Sequence, residues 1–309
     1  MSKKIVVTIG DPAGCGPIIT LKAIEEFGRK AKFFVVGDKV ILDKISLIKK
    51  LARRLVIVDV NTPEVKRVAK GFPSRLSGSA ALNYLKRALE IVDREKAKAL
   101  VTAPLSKEAV RYSCRHFRGH TEFLAAYFGV KRFAMMMVHD SFRVVLLTRH
   151  VLTRQVSAMI TKELVFHTAD LVGDFLRKSF KIKKPAIVMA SFNPHAGVDT
   201  FLAKEEETIA AGIKESRYKI SGPYPADTVF LPDRIFSYDC AIACFHDQAM
   251  IPFKLLSIKK GVNLTVGLPI IRTSPSHGVA FDLIRKGKTP FHSSMREAIG
   301  LAYNLSYEV

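Results

Sequence analysis

Residues Asp239–Phe245 form a short apolar run with no polar-apolar alternation, the pattern of a strand buried on both faces. Such a strand needs helices above and below it, so this one stretch restricts the chain to an α/β fold with parallel strands. The run stops abruptly at His246, Asp247 and Gln248. Open α/β sheets gather their ligands at the carboxyl ends of strands, so chemistry is expected at this point. Downstream, Lys254 follows within ten residues, Asn263 lies in Gly261–Pro269, and Arg272 lies in Ile271–Ser274; the last two stretches read as loops. An imidazole, an ammonium, an amide and a guanidinium in one segment suit a metal together with an anionic substrate.

The remaining chain repeats the α/β alternation. Ile5–Ile9, Lys32–Gly37, Leu55–Asp59 and Lys98–Thr102 read as strands, and Ile19–Phe27 and Ile41–Leu51 as helices. In Ser77–Val92 the residues Leu82, Leu85, Leu89 and Val92 recur at helical spacing and predict a helix covering a sheet face. Ser106 reads as a helix cap. Phe133–Val138 and Phe142–Thr148 read as paired strands, Ile187–Ser191 as another, and Met135 to Met137 as core filling. A length of 309 residues, 48% of them hydrophobic, suffices for one large domain or two ordinary ones.

No stretch of about 18 uninterrupted apolar residues occurs, and the chain passes from Ser2–Lys4 straight into a strand pattern, so a cytoplasmic location is expected. The four cysteines, at 15, 114, 240 and 244, form neither a disulfide framework nor a zinc knuckle. They read as reduced, with Cys240 and Cys244 as small buried apolar residues. The net charge of +21 raises a nucleic-acid hypothesis, but the basic residues are dispersed and lack a recognition motif. A solvated basic surface that draws in anionic substrates accounts for them.

Three further stretches carry polar groups. Gly10–Pro17 is a Gly-rich strand-to-helix turn, readable as an anion cradle or as a tight turn, and it matches neither a dinucleotide fingerprint nor a Walker motif. His120 and Thr121 stand just ahead of an amphipathic helix pattern. His150, His195 and His246 each close a strand pattern, too far apart for a local zinc finger. They fit an open site of three ligands with a vacant position, although each is also readable as an ordinary loop histidine.

Several blocks, in order along the chain, carry a resemblance: Ile9–Pro17, Val101–Lys107, Gly119–Phe123, Leu147–His150, Asn193–Gly197, Gly222–Thr228, Phe245–Lys254, Gly261–Ser274 and His277–Gly278. With them the chain resembles the 4-hydroxythreonine-4-phosphate dehydrogenases of vitamin B6 synthesis, the PdxA family. The loop His277–Ala280 is also similar to the adenosine-binding loop of the isocitrate and isopropylmalate dehydrogenase superfamily. The resemblance implies two α/β/α lobes, residues 1–122 with 277–309 and residues 123–276, with the active site in the cleft between them and a non-Rossmann nucleotide site. It implies oxidation of the C3 hydroxyl of 4-phosphohydroxy-L-threonine by NAD or NADP, giving a β-keto acid that loses carbon dioxide to form 3-amino-2-oxopropyl phosphate.

The family's metal ligands fall on His150, His195 and His246, for zinc, with magnesium or cobalt as alternatives. Its substrate contacts fall on His120, Thr121, Lys254, Asn263 and Arg272. The cofactor loop is His277, Gly278, Val279 and Ala280. Asp247 is expected either to orient its neighbouring ligand or to accept a proton. A homodimer whose subunits share metal ligands is implied, with no membrane partner. Two positions depart from the family: Ile18 and Val198 stand where Glu is usual, and Asp199 could compensate for the second. The rival readings are a paralogue acting on an erythronate or threonate phosphate, and a basic nucleic-acid-binding protein.

Overall fold

The computed structural model describes residues 3–197, 204–288 and 290–306. Residues Val198 and Asp199 lie outside the described residues. The described strands are β1 (Lys3–Thr8), β2 (Ala31–Gly37), β3 (Leu55–Asp59), β4 (Ala99–Thr102), β5 (Ala134–His139), β6 (Phe142–Leu146), β7 (Ile187–Ala190), β8 (Ile220–Tyr224), β9 (Cys240–Ala243), β10 (Val262–Val266) and β11 (Ile271–Pro275). The chain forms two compact units, Met1–Tyr127 with Pro269–Val309, and Phe128–Leu268. The first division thus falls after residue 127, because His120–Tyr127 is one helix. The second falls at 268/269, which leaves β11 with β4, its parallel partner.

In the first unit the strands run in the order β3-β2-β1-β4-β11, every described pair parallel. The Gly-rich turn after β1, the block after β4 and the loop after β11 therefore leave the sheet along one edge. The helix Arg75–Glu95 covers this sheet, with Leu82, Leu85, Leu89 and Val92 all buried, as their spacing predicts. Each contributes roughly 2 kcal/mol of burial. Ser74 starts the helix by accepting from the Ser77 amide at 3.0 Å, while the Ser74 amide donates to Ser77 Oγ at 3.2 Å. Ser106 caps Lys107–Arg111 by accepting from the Ala109 amide at 3.1 Å, as expected. The helix expected over Ile41–Leu51 is two short ones, Lys39–Leu42 and Leu47–Leu51. The turn between them lets Leu42 and Leu51 both bury fully.

In the second unit the order is β10-β5-β6-β9-β7-β8. β5 pairs antiparallel with β10 and β6, whereas β6, β9, β7 and β8 are parallel. Its core joins Met135, Met137, Phe142, Val144, Ala241 and Phe253. Cys240 and Cys244 are fully buried and free, and desolvation pushes both thiols up to about 12, so neither is a nucleophile. No described helix is long and apolar enough to cross a membrane.

Two stretches expected to be loops are strands: Asn263 lies on β10 and Arg272 on β11. The cause is visible in Val262, Leu264 and Val266, which alternate at the strand period and bury against the core.

Candidate active site

The second unit places three histidines by topology. β6, β9 and β7 are parallel neighbours, so their carboxyl ends share an edge, and His150, His246 and His195 follow those ends. His246 opens the helix His246–Ser257, anchored where the Phe245 amide donates to Gln248 Oε1 at 3.0 Å and Gln248 Nε2 donates to the Ser191 carbonyl at 2.9 Å. The His150 and His246 rings stand 5.9 Å apart between centroids within one chain. Both line a cavity of about 450 Å³, with Asp247 on its wall. Asp247 Oδ1 lies 3.0 Å from His246 Nδ1. A proton held on Nδ1 by that carboxylate leaves Nε2 free to bind a metal.

His195 is exposed on the turn Pro194–Gly197, in left-handed backbone at φ 53°. Among the described residues no group of three His, Cys, Asp or Glu side chains assembles a metal cage. Of the three expected histidines, His150 and His246 line one cavity. The loop bearing His195 is tied by Glu206, a carboxylate only 6% exposed. Glu206 accepts from the Asn193 amide and from Asn193 Nδ2, each at 2.7 Å. Glu206 was not legible in the sequence, because its role depends on what it meets in space. Glu206→Ala is expected to loosen this loop and weaken metal binding about tenfold, because groups that orient ligands carry that magnitude. Metal titration of the purified variant checks this, and an unchanged dissociation constant would remove Glu206 from the role.

The helix bearing His246 also bears Lys254, whose ammonium is partly desolvated and so held below the ordinary lysine range. Asn263 pairs with Met137 in the β-ladder and donates from Nδ2 to Met135 Sδ at 3.5 Å. Its buried Oδ1 has no donor among the described residues, which leaves an acceptor for a ligand.

The first unit, taken by itself, holds a buried cationic group. Arg272 is 2% exposed and donates from Nη2 to Thr102 Oγ1 at 2.6 Å. Burial pushes its guanidinium down to about 10, with Glu122 acting in the opposite direction. His120 is held neutral, well below its ordinary range, by burial first and then by the charges of Arg272 and Lys107. Gly119, at φ 152°, allows this approach, since a Cβ there would lie 3.1 Å from both Lys107 Cε and a Glu122 oxygen. Thr121 is buried beside His120. Lys107 and Glu122 lie in two of the blocks that carry the resemblance, yet no role was expected of either.

The cofactor loop of the expectation, His277–Ala280, lies against the Gly-rich turn. The Cys15 amide donates to the Val279 carbonyl at 3.0 Å, and Cys15 Sγ approaches the Gly278 carbonyl at 3.6 Å. A Cβ at Gly14 would sit 3.0 Å from that Val279 oxygen, so this turn needs glycine for close contact. A Cβ at Gly278 would meet nothing within 4 Å.

Imidazoles at parallel strand ends and a buried guanidinium beside a neutral histidine mark an α/β enzyme. The chain belongs to the pyridoxal phosphate biosynthetic protein PdxA family, whose model matches residues 29–302. It is 34% identical to a 4-hydroxythreonine-4-phosphate dehydrogenase of Sulfurihydrogenibium sp. (strain YO3AOP1), covering 97% of each chain. It is also 37% identical to a protein of Oceanobacillus iheyensis provisionally named as a D-threonate 4-phosphate dehydrogenase, over 99% of each. The crystal structure of 4-hydroxythreonine-4-phosphate dehydrogenase from Klebsiella pneumoniae superposes with a TM-score of 0.85 at 32% identity, covering 99% of this chain and 100% of that one.

Proposed function

We propose that the protein oxidises the C3 hydroxyl of 4-phosphohydroxy-L-threonine with NAD or NADP in pyridoxal 5'-phosphate biosynthesis, the resulting β-keto acid losing carbon dioxide to give 3-amino-2-oxopropyl phosphate. The observation that carries this reading is the His150–His246 pair at 5.9 Å, lining a cavity at the ends of parallel strands in a chain of this family. Two convergent imidazoles suit a divalent ion, zinc foremost, with His195 as the third donor. When bound, that ion supplies Lewis-acid polarisation of the reacting alcohol and the nicotinamide accepts its hydride.

The remaining roles fall to the chain's own side chains. Asp247 holds the His246 imidazole in one tautomer and orientation. Arg272 and Lys254 counter the substrate's anionic groups, Arg272 with a planar fork that suits phosphate or carboxylate. Neutral His120 and Thr121 offer hydrogen bonds to the same groups without adding charge, and Asn263 Oδ1 accepts one. The exposed Ile251, Leu255 and Ile258, on and just beyond the helix that carries His246, support a homodimer built over this face.

A second reading, oxidation of D-threonate 4-phosphate, is favoured by the 37% identity to the Oceanobacillus iheyensis protein. That substrate carries a hydroxyl where 4-phosphohydroxy-L-threonine carries an amine. Appearance of NADH or NADPH with each substrate, with and without a chelator, separates the two. Turnover of neither substrate by metal-replete protein would reject both readings.

The cofactor loop gives a separate expectation. Gly278→Val leaves the fold intact, because its side chain enters open space, but occupies room beside the loop that a nucleotide would need. KM for NAD should rise about tenfold or more with the substrate KM nearly unchanged. Equal KM values for NAD in the variant and the wild type would put the nucleotide elsewhere.

A further inference from the structure

Arg272 is among the largest fully buried side chains of the protein, and the strand register decides where its charge ends up. On β11 it pairs with Leu100 of the parallel neighbour β4. Its guanidinium, however, donates from Nη2 to the hydroxyl of Thr102, two residues farther along and the last residue of β4. Two residues of a parallel strand span roughly 6–7 Å, so the side chain runs along the sheet and delivers its charge to the carboxyl edge. Parallel sheets bind their ligands at that edge.

The same register fixes the face of the sheet. Register partners on neighbouring strands share a face, as do side chains two apart on one strand, so Arg272, Leu100 and Thr102 lie on one side. Thr273, the next residue, points to the other side, where its Oγ1 donates to the Ala298 carbonyl at 2.8 Å. Thr8 of β1 is the register partner of Thr102 and shares its face. Thr8 is as buried as Thr102, yet its Oγ1 has no hydrogen-bond partner among the described residues. Two neighbouring hydroxyls thus stand at the same depth, and the guanidinium engages Thr102 and not Thr8.

We propose that Thr102 is a positioning residue for substrate binding: it fixes the direction in which Arg272 presents its guanidinium to an anionic group of the substrate. The proposal rests on the role given to Arg272 in the reading above and adds a residue to which the resemblance gives no task. A guanidinium is a rigid planar fork, so holding one terminal nitrogen sets the plane of the whole group. A long side chain already held by a buried partner also has fewer rotamers to lose when the anion arrives. Thr102 suits this task because its branched side chain is restricted at χ1 and its strand is locked between β1 and β11. Its hydroxyl is a neutral acceptor, so it holds the guanidinium without neutralising it.

Calorimetric titration of the full-length protein with inorganic phosphate tests the proposal, together with KM for 4-phosphohydroxy-L-threonine and D-threonate 4-phosphate. Thr102→Val keeps the side-chain shape and removes the acceptor. Thr8→Val makes the same change one strand away. Thr102→Val should weaken phosphate binding and raise the substrate KM about tenfold, with kcat changing far less, because it removes a hydrogen bond to a charged group. Thr102→Ser should restore both quantities, and Thr8→Val should match the wild type. Thermal melts establish that the variants compared are folded; if Thr102→Val does not fold, Thr102→Ala carries the comparison.

Wild-type KM and phosphate affinity in folded Thr102→Val would overturn the positioning role and leave the substrate reading standing. A fall in kcat at unchanged KM would overturn it as well. So would an equal loss in Thr8→Val or an unrescued loss in Thr102→Ser, because the effect would then be one of packing and not of the hydroxyl. Loss of phosphate binding in Thr102→Val alone, with neither substrate turned over by the wild type, would uphold the positioning of Arg272 and reject the substrate reading. Where the wild type turns over substrate without binding free phosphate, KM alone decides. A wild type that neither binds phosphate nor turns over either substrate would overturn both.

Discussion

Replacing His246 with alanine is expected to strip most of the divalent metal from the purified protein and to lower kcat/KM by about a thousandfold or more. The size follows from the Lewis-acid contribution, which is several kcal/mol at the reacting oxygen, each 1.4 kcal/mol or so being a factor of ten. The cause is geometric: His246 is one of the two rings that stand 5.9 Å apart over the cavity, and removing it leaves the proposed three-histidine set one donor short. Asp247→Asn should show a smaller effect of about ten- to a hundredfold, because it leaves the ligand in place and removes only the carboxylate that orients it. Elemental analysis of the wild type and both variants checks this order. Metal content in His246→Ala equal to wild type would dismiss the pair as a metal site.

The second large effect is expected at Arg272. Arg272→Met keeps much of the side-chain volume and removes the charge, and kcat/KM should fall about a hundredfold, the worth of a charge-assisted pair with an anionic substrate. Arg272→Lys should recover little, since an ammonium cannot reproduce the planar fork that also reaches Thr102. Global stability need not fall in the Met variant, because exchanging a buried charge for an apolar residue is often neutral or stabilising. Steady-state kinetics with a thermal melt separates the two effects, and a loss of activity that tracks a loss of folded protein would refute a direct role. The same residue predicts a pH limit. Burial brings its pKa down to about 10, so the cation is present below that value and is lost as pH rises through it, and substrate affinity should fall there. His120 works in the opposite sense: its pKa lies well below the ordinary imidazole value, so it stays neutral as pH falls through 6.5 and adds no charge to the pocket.

How much of this was legible depended on the range of the physics involved. The buried strand over 239–245, the helix over 77–92 and the cap at Ser106 are local matters of period and side-chain chemistry, and each is found in the structure. The residues of β10 and β11 read as loops from sequence because Gly261, Gly267 and Pro269 flank them and polar Asn263 and Arg272 lie within them. Glu206 and Lys107 were invisible for another reason. Their significance comes from what lies beside them in space, and nothing in a local window distinguishes them from solvated charges. Conversely, the assembly of His150 with His246 follows from β6 and β9 being parallel neighbours, a pairing that no spacing between the two histidines encodes.

The division of the chain also sets an order of events during synthesis. The second unit is one continuous segment, 128–268, whereas the first closes only when β11 arrives to pair with β4. At about 5–20 residues per second, the ribosome needs roughly 10–30 s to make the intervening segment. During that interval β4 waits without one neighbour, and the Gly-rich turn waits without the Val279 carbonyl that its Cys15 amide will meet. The inserted unit can therefore collapse first, while the surroundings of Arg272 and the loop His277–Ala280 come into being together, late and by a long-range closure.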